Sequence, residues 1–263
     1  MKKYLFIFKS QLMSNLSYLL NIFGHFIGFF IHILIFFNIW KYIYSDPSEI
    51  IHGYSLLQTV WYVVITEILW SIVGGRSLVR KISDDVRGGN IAYNINKPYN
   101  YVLYSIFSYL GEVFIKFIAY FGLGIAVGFF FLRAFPSISL LEFIAFLLVS
   151  FLAVLINIIF SIFIGLFSFI IEDSVPFYWL YSKVMLIVGV LFPIEFFPKV
   201  IQPIAKLSPI FALCYGPAKL FVSFSWKLFL IVLLSQLFYV VFAYVICSLL
   251  YRKGVRSLNV NGG

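Results

Sequence analysis

Charge and sulfur are scarce in this sequence. Only 11% of its 263 residues are charged, and two are cysteine, Cys214 and Cys247. A soluble domain carries about a quarter charged residues. The two cysteines lie far apart and form no metal or redox motif, so they read as inert apolar positions. Several signatures are missing as well. No GxxxxGK[ST] phosphate loop occurs, which excludes ATP hydrolysis by that route on this chain. No HExxH, no GxSxG and no cysteine–histidine motif occurs, which argues against a zinc or serine membrane protease. No internal repeat is evident. An inverted-repeat carrier would place matching broken helices in both halves, and here a proline-broken segment occurs only in the second.

What the chain has in excess is apolar surface. Hydrophobic residues make up 63% and aromatics 21%, with Phe used 33 times. No soluble core of this length hides that much, so the solvent is lipid. The net charge of +9 would suggest nucleic acid in a soluble protein. Here the cations sit beside apolar runs and read as topology signals, so membrane lipid is the expected partner and nucleic acid is not.

A membrane helix needs about 20 mostly apolar residues. Six segments qualify: 17–41, 55–75, 100–132, 140–170, 176–196 and 226–250. The start, MKKYLFIFKS, resembles a secretory signal, but Lys9 interrupts the apolar region and no small-residue cleavage site follows. Residues 1–16 are expected to be retained as an interfacial helix with Leu5, Phe8, Leu12 and Leu16 on one face. Lys2, Lys3 and Lys9, then Arg76, Arg80, Lys81, Arg87 and Lys97, then Arg252, Lys253 and Arg256 all fall on one side of a six-span chain. By the positive-inside rule that side is the cytoplasm and holds both termini. Between spans five and six, prolines 193, 198, 203, 209 and 217 break an apolar stretch every few residues. Residues 193–225 are therefore expected to form short re-entrant outer helices rather than another span.

Polar residues inside spans cannot face lipid cheaply. Ser17, Asn21, Gly24, His25, Gly28 and His32 share one face of span one by helix periodicity. That face either lines a wet path or packs a partner helix through Gly24-xxx-Gly28, with Asn21, His25 and His32 as its polar members. Ser150, Asn157, Ser161, Gly165 and Ser168 in span four read as a packing stripe. Glu67, Glu112 and Lys116 are ionisable at membrane depth. Glu112 and Lys116 are spaced to pair along one helix face, and a structural pair joined by Glu67 stands beside a proton relay as the two readings.

One stretch, Ile82 to Pro98, is dense in charge, glycine and asparagine. RSLVRKISDDV has Leu78, Ile82 and Val86 at helical spacing, Gly88-Gly89 stops that helix, and NIAYNIN returns the chain to the third span. Ile82, Val86 and Ile91 are expected to be presented amid charge, which suits docking to a soluble partner.

Asp85, Val86, Arg87, Gly88, Gly89, Asn90, Ile91, Ile95, Lys97 and Pro98 resemble the cytoplasmic loop of ABC-2 type transporter permeases. The resemblance extends to the interfacial amino-terminal helix, six spans and the proline-rich segment before the last. It implies that residues 76–99 are a coupling loop seated in a groove of a separate ABC-type ATPase subunit, with Ile82, Asp84, Asp85, Val86, Arg87, Gly88, Gly89, Asn90 and Ile91 at the contact. It implies a second permease, identical or related. It places ATP and magnesium on the partner ATPase, with no cofactor, metal or catalytic residue on this chain. The expectation is an all-α polytopic membrane protein of one transmembrane domain, 1–263. It would export an amphipathic or hydrophobic compound (drug, peptide or lipid) across a prokaryotic cell membrane along a path beside spans one, two and five. The rivals are a proton-coupled carrier or polytopic membrane enzyme using Glu67, Glu112 and Lys116, and a membrane-embedded scaffold.

Overall fold

The computed structural model describes residues 2–17, 19–46 and 48–261, the side chains of 19–23, 25 and 258–261 excepted. The chain runs through α1 (Lys2–Leu16), α2 (Leu19–Ile43), a minimal hairpin of β1 (Ile50–Ile51) and β2 (Tyr54–Ser55), α3 (Leu56–Val73), α4 (Arg76–Arg87) and α5 (Asn90–Ile95). It continues as α6 (Tyr101–Leu132), α7 (Leu140–Leu166), α8 (Val175–Val184), α9 (Gln202–Leu207), α10 (Gly216–Val222) and α11 (Trp226–Asn261). The protein is an all-α polytopic membrane protein. Local chemistry sets the starts. Ser55 with Gln58 and Ser139 with Glu142 form capping boxes, and Asn100 caps α6, each satisfying amides that the first helical turn leaves free. The hairpin turns through His52 and Gly53 at φ 50° and 84°, a conformation that glycine adopts without strain.

Five helices among the described residues are long and apolar enough to cross a bilayer: Phe26–Ile43, Leu56–Arg87, Tyr101–Leu132, Leu140–Phe169 and Trp226–Ser257. The expected span 176–196 is a shorter apolar helix, Val175–Val190. At about 1.5 Å per residue it reaches about 24 Å, less than the hydrocarbon thickness of about 30 Å. It ends where Pro193 and a one-turn helix at Ile194–Phe196 take over, because proline disfavours helix in the residue before it.

α3 is the centre of the bundle. Every residue from Thr59 to Leu69 is buried, and α2, α6, α7 and α10 pack around it. Glycines on α6 allow the approach: a Cβ at Gly124 would fall 2.6 Å from Ile68, and one at Gly128 2.6 Å from the Trp61 ring. The Trp61 indole N–H, buried with the ring, donates to the Ala134 carbonyl at 2.9 Å. In α7, Asn157 accepts from the Tyr181 hydroxyl and Ser161 donates back to the Asn157 carbonyl, and just past the helix end Ser168 donates to Ser174. The polar stripe is a packing seam, as its spacing suggests.

The proline-rich stretch is a series of short pieces: the turn at 194–196, α9, a π-helical segment Phe211–Tyr215, and α10. Phe211–Val222 is buried except for half-buried Lys219. A second π-helical segment, Met185–Val190, extends α8 and packs on the first through Met185, Val190, Ala212 and Cys214. π turns leave carbonyls poorly paired, and side chains from neighbouring helices serve them. Tyr62 donates to Gly189 O at 3.2 Å, Thr66 to Val190 O at 2.9 Å and Gln236 to Ala212 O at 2.9 Å. Irregular backbone is thus held inside protein, the condition for it at membrane depth.

α1 lies along α6, but not on the expected face. Tyr4 is its buried residue, stacked on Phe107 with ring centroids 5.6 Å apart, and its hydroxyl accepts from the Asn100 amide at 2.9 Å. Phe8 and Leu12 are half-buried beside it, whereas Leu5 and Leu16 are exposed. Tyr4, Phe8, Gln11 and Asn15 are the i, i+4, i+7, i+11 positions of the face that α6 covers.

Candidate functional site

The polar stretch forms a hinge of two helices below the bundle. Gly74 closes α3 in the left-handed region at φ 50°, and α4 begins two residues later. Leu78, Val79, Ile82 and Ser83 are the buried face of α4. It packs on α7 and α8. The fit at α7 is close: a Cβ at Gly165 would lie 2.9 Å from Ile82 Cβ. Gly89, at φ 73°, reverses the chain into α5, whose Ile91 is fully buried. Asp85 accepts from the Tyr101 hydroxyl at 2.8 Å, tying α4 to the start of α6.

This corrects one expectation. Ile82 and Ile91 are not offered to a partner, because they are 1% and 0% exposed and bind the hinge to its own bundle. The outward surface is polar instead: Lys81, Asp84, Arg87, Gly88, Gly89 and Asn90 are exposed, with Tyr93 beside them. Val86 is half-buried. It lines, with Arg87, Phe169, Ile170 and Glu172, a cavity of about 460 Å³ between α4 and the α7–α8 connection.

Above the hinge lies a larger cavity, about 730 Å³, open on one side. Phe29 and His32 of α2, Glu67 and Trp70 of α3, and Lys116 and Tyr120 of α6 line it, with Arg76 and Arg80 of α4 at its lower end. His32 Nδ1 lies 3.1 Å from Glu67 Oε1. The Glu67 side chain is 5% exposed, and its other oxygen, Oε2, has no partner among the described residues. Gly28 lines the open side, and a Cβ at Gly24 or Gly28 would meet nothing within 4 Å. No helix among the described residues packs there. Ser17 lies in the turn before α2 rather than on its face, and the Asn21 and His25 side chains fall outside those described.

The three intramembrane ionisable residues are only partly brought together. Glu112 and Lys116 pair along α6 at 2.9 Å, as their spacing suggests. Glu67 does not join them but pairs with His32, although it shares the cavity wall with Lys116. His32 was legible as polar but not as the partner of Glu67, since that pairing depends on how α2 packs on α3.

The sequence reading missed a second charged cluster, at the end of the bundle away from the hinge. Glu195 accepts from the hydroxyls of Tyr54 at 2.9 Å and Tyr215 at 2.5 Å, with Lys219 Nζ 3.5 Å away. The Lys219 ammonium also lies 3.9 Å from the centre of the Tyr54 ring, within cation–π range. Burial first, then the neighbouring Tyr215 and Glu195, pushes the Tyr54 phenol far above its ordinary value, so it stays a donor. The cluster joins the hairpin, the Pro193 turn and α10. Glu195 was the signal, an acid within LFPIEFFP.

Comparison with known families gives a match to the family described as "ABC-2 family transporter protein", over residues 29–262. No curated protein matches the chain at a significant level.

Proposed function

The chain belongs to the ABC-2 family of transporter proteins, and from that membership we propose that it is the permease subunit of an ABC exporter, driven by a separate ATPase. ATP and magnesium belong to that ATPase. The exposed polar edge Lys81, Asp84, Arg87 and Asn90 docks in a groove of it, and the buried face of the same hinge passes its motion to α3, α6 and α7. The observation that carries the reading is this two-sided build of α4 and α5. One side is locked into the transmembrane bundle by Ile82, Ile91 and Asp85, and the other is free and charged. Such a part moves as one body with the helices it is fixed to, which a merely solvated loop would not do.

The lysines and arginines beside the spans support a reading in which the hinge and both termini face the cytoplasm. A second permease, identical or related, faces the open side of α2. Gly24 and Gly28, where an added Cβ would meet nothing within 4 Å among the described residues, and the exposed Ile27, Ile31 and Ile35 support that placement. The path then runs beside α2 and α3, and the cargo is an amphipathic compound. Coupling of this kind needs two global states that nucleotide binding favours differently.

The test is whether a neighbouring gene encodes an ABC-type ATPase that co-purifies with this chain, followed by ATP turnover. Asp84→Lys with Arg87→Glu reverses charge on the exposed edge without touching the buried face. The expected result is loss of association with the permease still folded and monodisperse. Association and turnover at wild-type levels would refute the assignment of this edge.

A further inference from the structure

The cavity above the hinge has unlike ends. At the lower end Arg76 and Arg80, one turn apart on α4, make no ion pair among the described residues. Lys116 at the side is already held by Glu112 at 2.9 Å, so the unneutralised charge at the lower end is positive. The middle is apolar and aromatic, from Phe29, Trp70 and Tyr120. The upper end is Glu67, six residues and about 9 Å up α3 from Val73. A buried carboxylate oxygen accepts hydrogen bonds and is rarely left without one. Glu67 Oε1 has His32, but Oε2 has no partner among the described residues.

We propose that this cavity binds an anionic amphiphile that carries a hydrogen-bond donor. Its acid group faces Arg76 and Arg80, its apolar or aromatic body lies along Phe29, Trp70 and Tyr120, and its donor reaches Glu67 Oε2. A volume of about 730 Å³ suits one such molecule, since drug-sized ligands occupy roughly 300–1,000 Å³. Two free guanidinium groups against one histidine-paired carboxylate disfavour a purely cationic ligand, and the carboxylate with an open acceptor favours a ligand with an N–H or O–H over one without. That the bound molecule is cargo rests on the permease reading. That it binds does not.

The probe is anilinonaphthalene sulfonate, an aromatic acid with one N–H, titrated by fluorescence into the purified full chain in maltoside detergent. Saturable binding is expected. Arg76→Ala with Arg80→Ala should weaken it at least tenfold, Arg76→Lys with Arg80→Lys about threefold at most, and Lys253→Ala on α11 not at all. The N-methylated probe, which lacks the donor, should bind at least threefold more weakly to the wild type and no more weakly than the parent to Glu67→Leu. Monodispersity of each variant separates lost binding from lost folding. Displacement by short-chain phosphatidylglycerol but not phosphatidylcholine identifies a membrane lipid as the natural acid, and no displacement identifies a soluble one. If the double alanine variant binds within twofold of wild type, or if an aminoacridinium cation displaces the probe at equal concentration, the inference is overturned. Failure here with ATPase association intact leaves the permease reading standing, and the reverse pattern sinks that reading while this site survives.

Discussion

Ile82 separates two accounts of the hinge. If it anchors α4 to α7, its loss weakens the fold and spares the docking edge. If it touches a partner, the reverse holds. The side chain is 1% exposed and faces Gly165, where an added Cβ would lie 2.9 Å from Ile82 Cβ and 3.1 Å from Cγ2. Ile82→Ala removes three buried carbons, about 2.4 kcal/mol at ~0.8 kcal/mol each, and leaves a cavity that raises the cost to about 3 kcal/mol. Gly165→Ala adds a methyl where there is no room, an overpacking cost of about 1–3 kcal/mol. In the double variant the new methyl no longer meets Cγ2 and Cδ1, at 3.1 and 3.2 Å, and only the Cβ contact at 2.9 Å remains. The destabilisation of the double variant should fall short of the sum of the singles by about 1 kcal/mol or more, the behaviour of residues in contact. Chemical denaturation of the purified chain in detergent reads all four corners of the cycle. Affinity of each folded variant for the ATPase, measured in parallel, should stay within about threefold of wild type. Additive singles, or an Ile82→Ala variant of native stability that no longer associates, would refute the anchoring argument.

Two further outcomes test other parts of the molecule. Glu195→Ala leaves the Tyr54 and Tyr215 hydroxyls and the Lys219 ammonium without their shared acceptor. Glu195 and Lys219 side chains are 28% and 20% exposed, so water offsets part of the loss, and a destabilisation of about 2 kcal/mol is expected, visible as a lower midpoint in thermal unfolding. Glu195→Gln, which keeps an acceptor for one tyrosine, should recover about half of it. At Gly89 the backbone stands at φ 73° with nothing within 4 Å of a built Cβ. Gly89→Val therefore costs backbone strain alone, about 1–2 kcal/mol, and should increase proteolytic cleavage between α4 and α5 while leaving the rest of the chain protected.

The long elements were legible because their signal is local. Apolar runs of about 20 residues marked the long spans, glycine and proline marked where helices stop, and the serines of α7 fell at packing distance from one another because they share one helix. The pairing of Glu112 with Lys116 was legible for the same reason. What could not be read depends on which helix lies beside which. Glu67 finds His32 across 35 positions and Glu195 finds Tyr54 across 141. Helix periodicity carries no information at those separations. The π turns at Met185–Val190 and Phe211–Tyr215 were also invisible, because the side chains that serve their carbonyls, Tyr62, Thr66 and Gln236, come from other helices.

Ile82 and Ile91 illustrate the harder error. In sequence they are apolar residues among charges, the pattern of a docking surface. In the fold the charges face out and the isoleucines face in, because an amphipathic helix beside a membrane bundle has the bundle itself as its nearest apolar surface. Burying Ile82 on Gly165, and Ile91 in the same core, removes from water the two residues a partner would otherwise grip. On the proposed permease reading, recognition is left to Lys81, Asp84, Arg87 and Asn90, whose contacts are polar and screened by salt. A permease held this way should leave its ATPase as ionic strength rises, whereas one held by buried isoleucines would grip more firmly. Association measured from low to high salt decides between the two faces of the same helix.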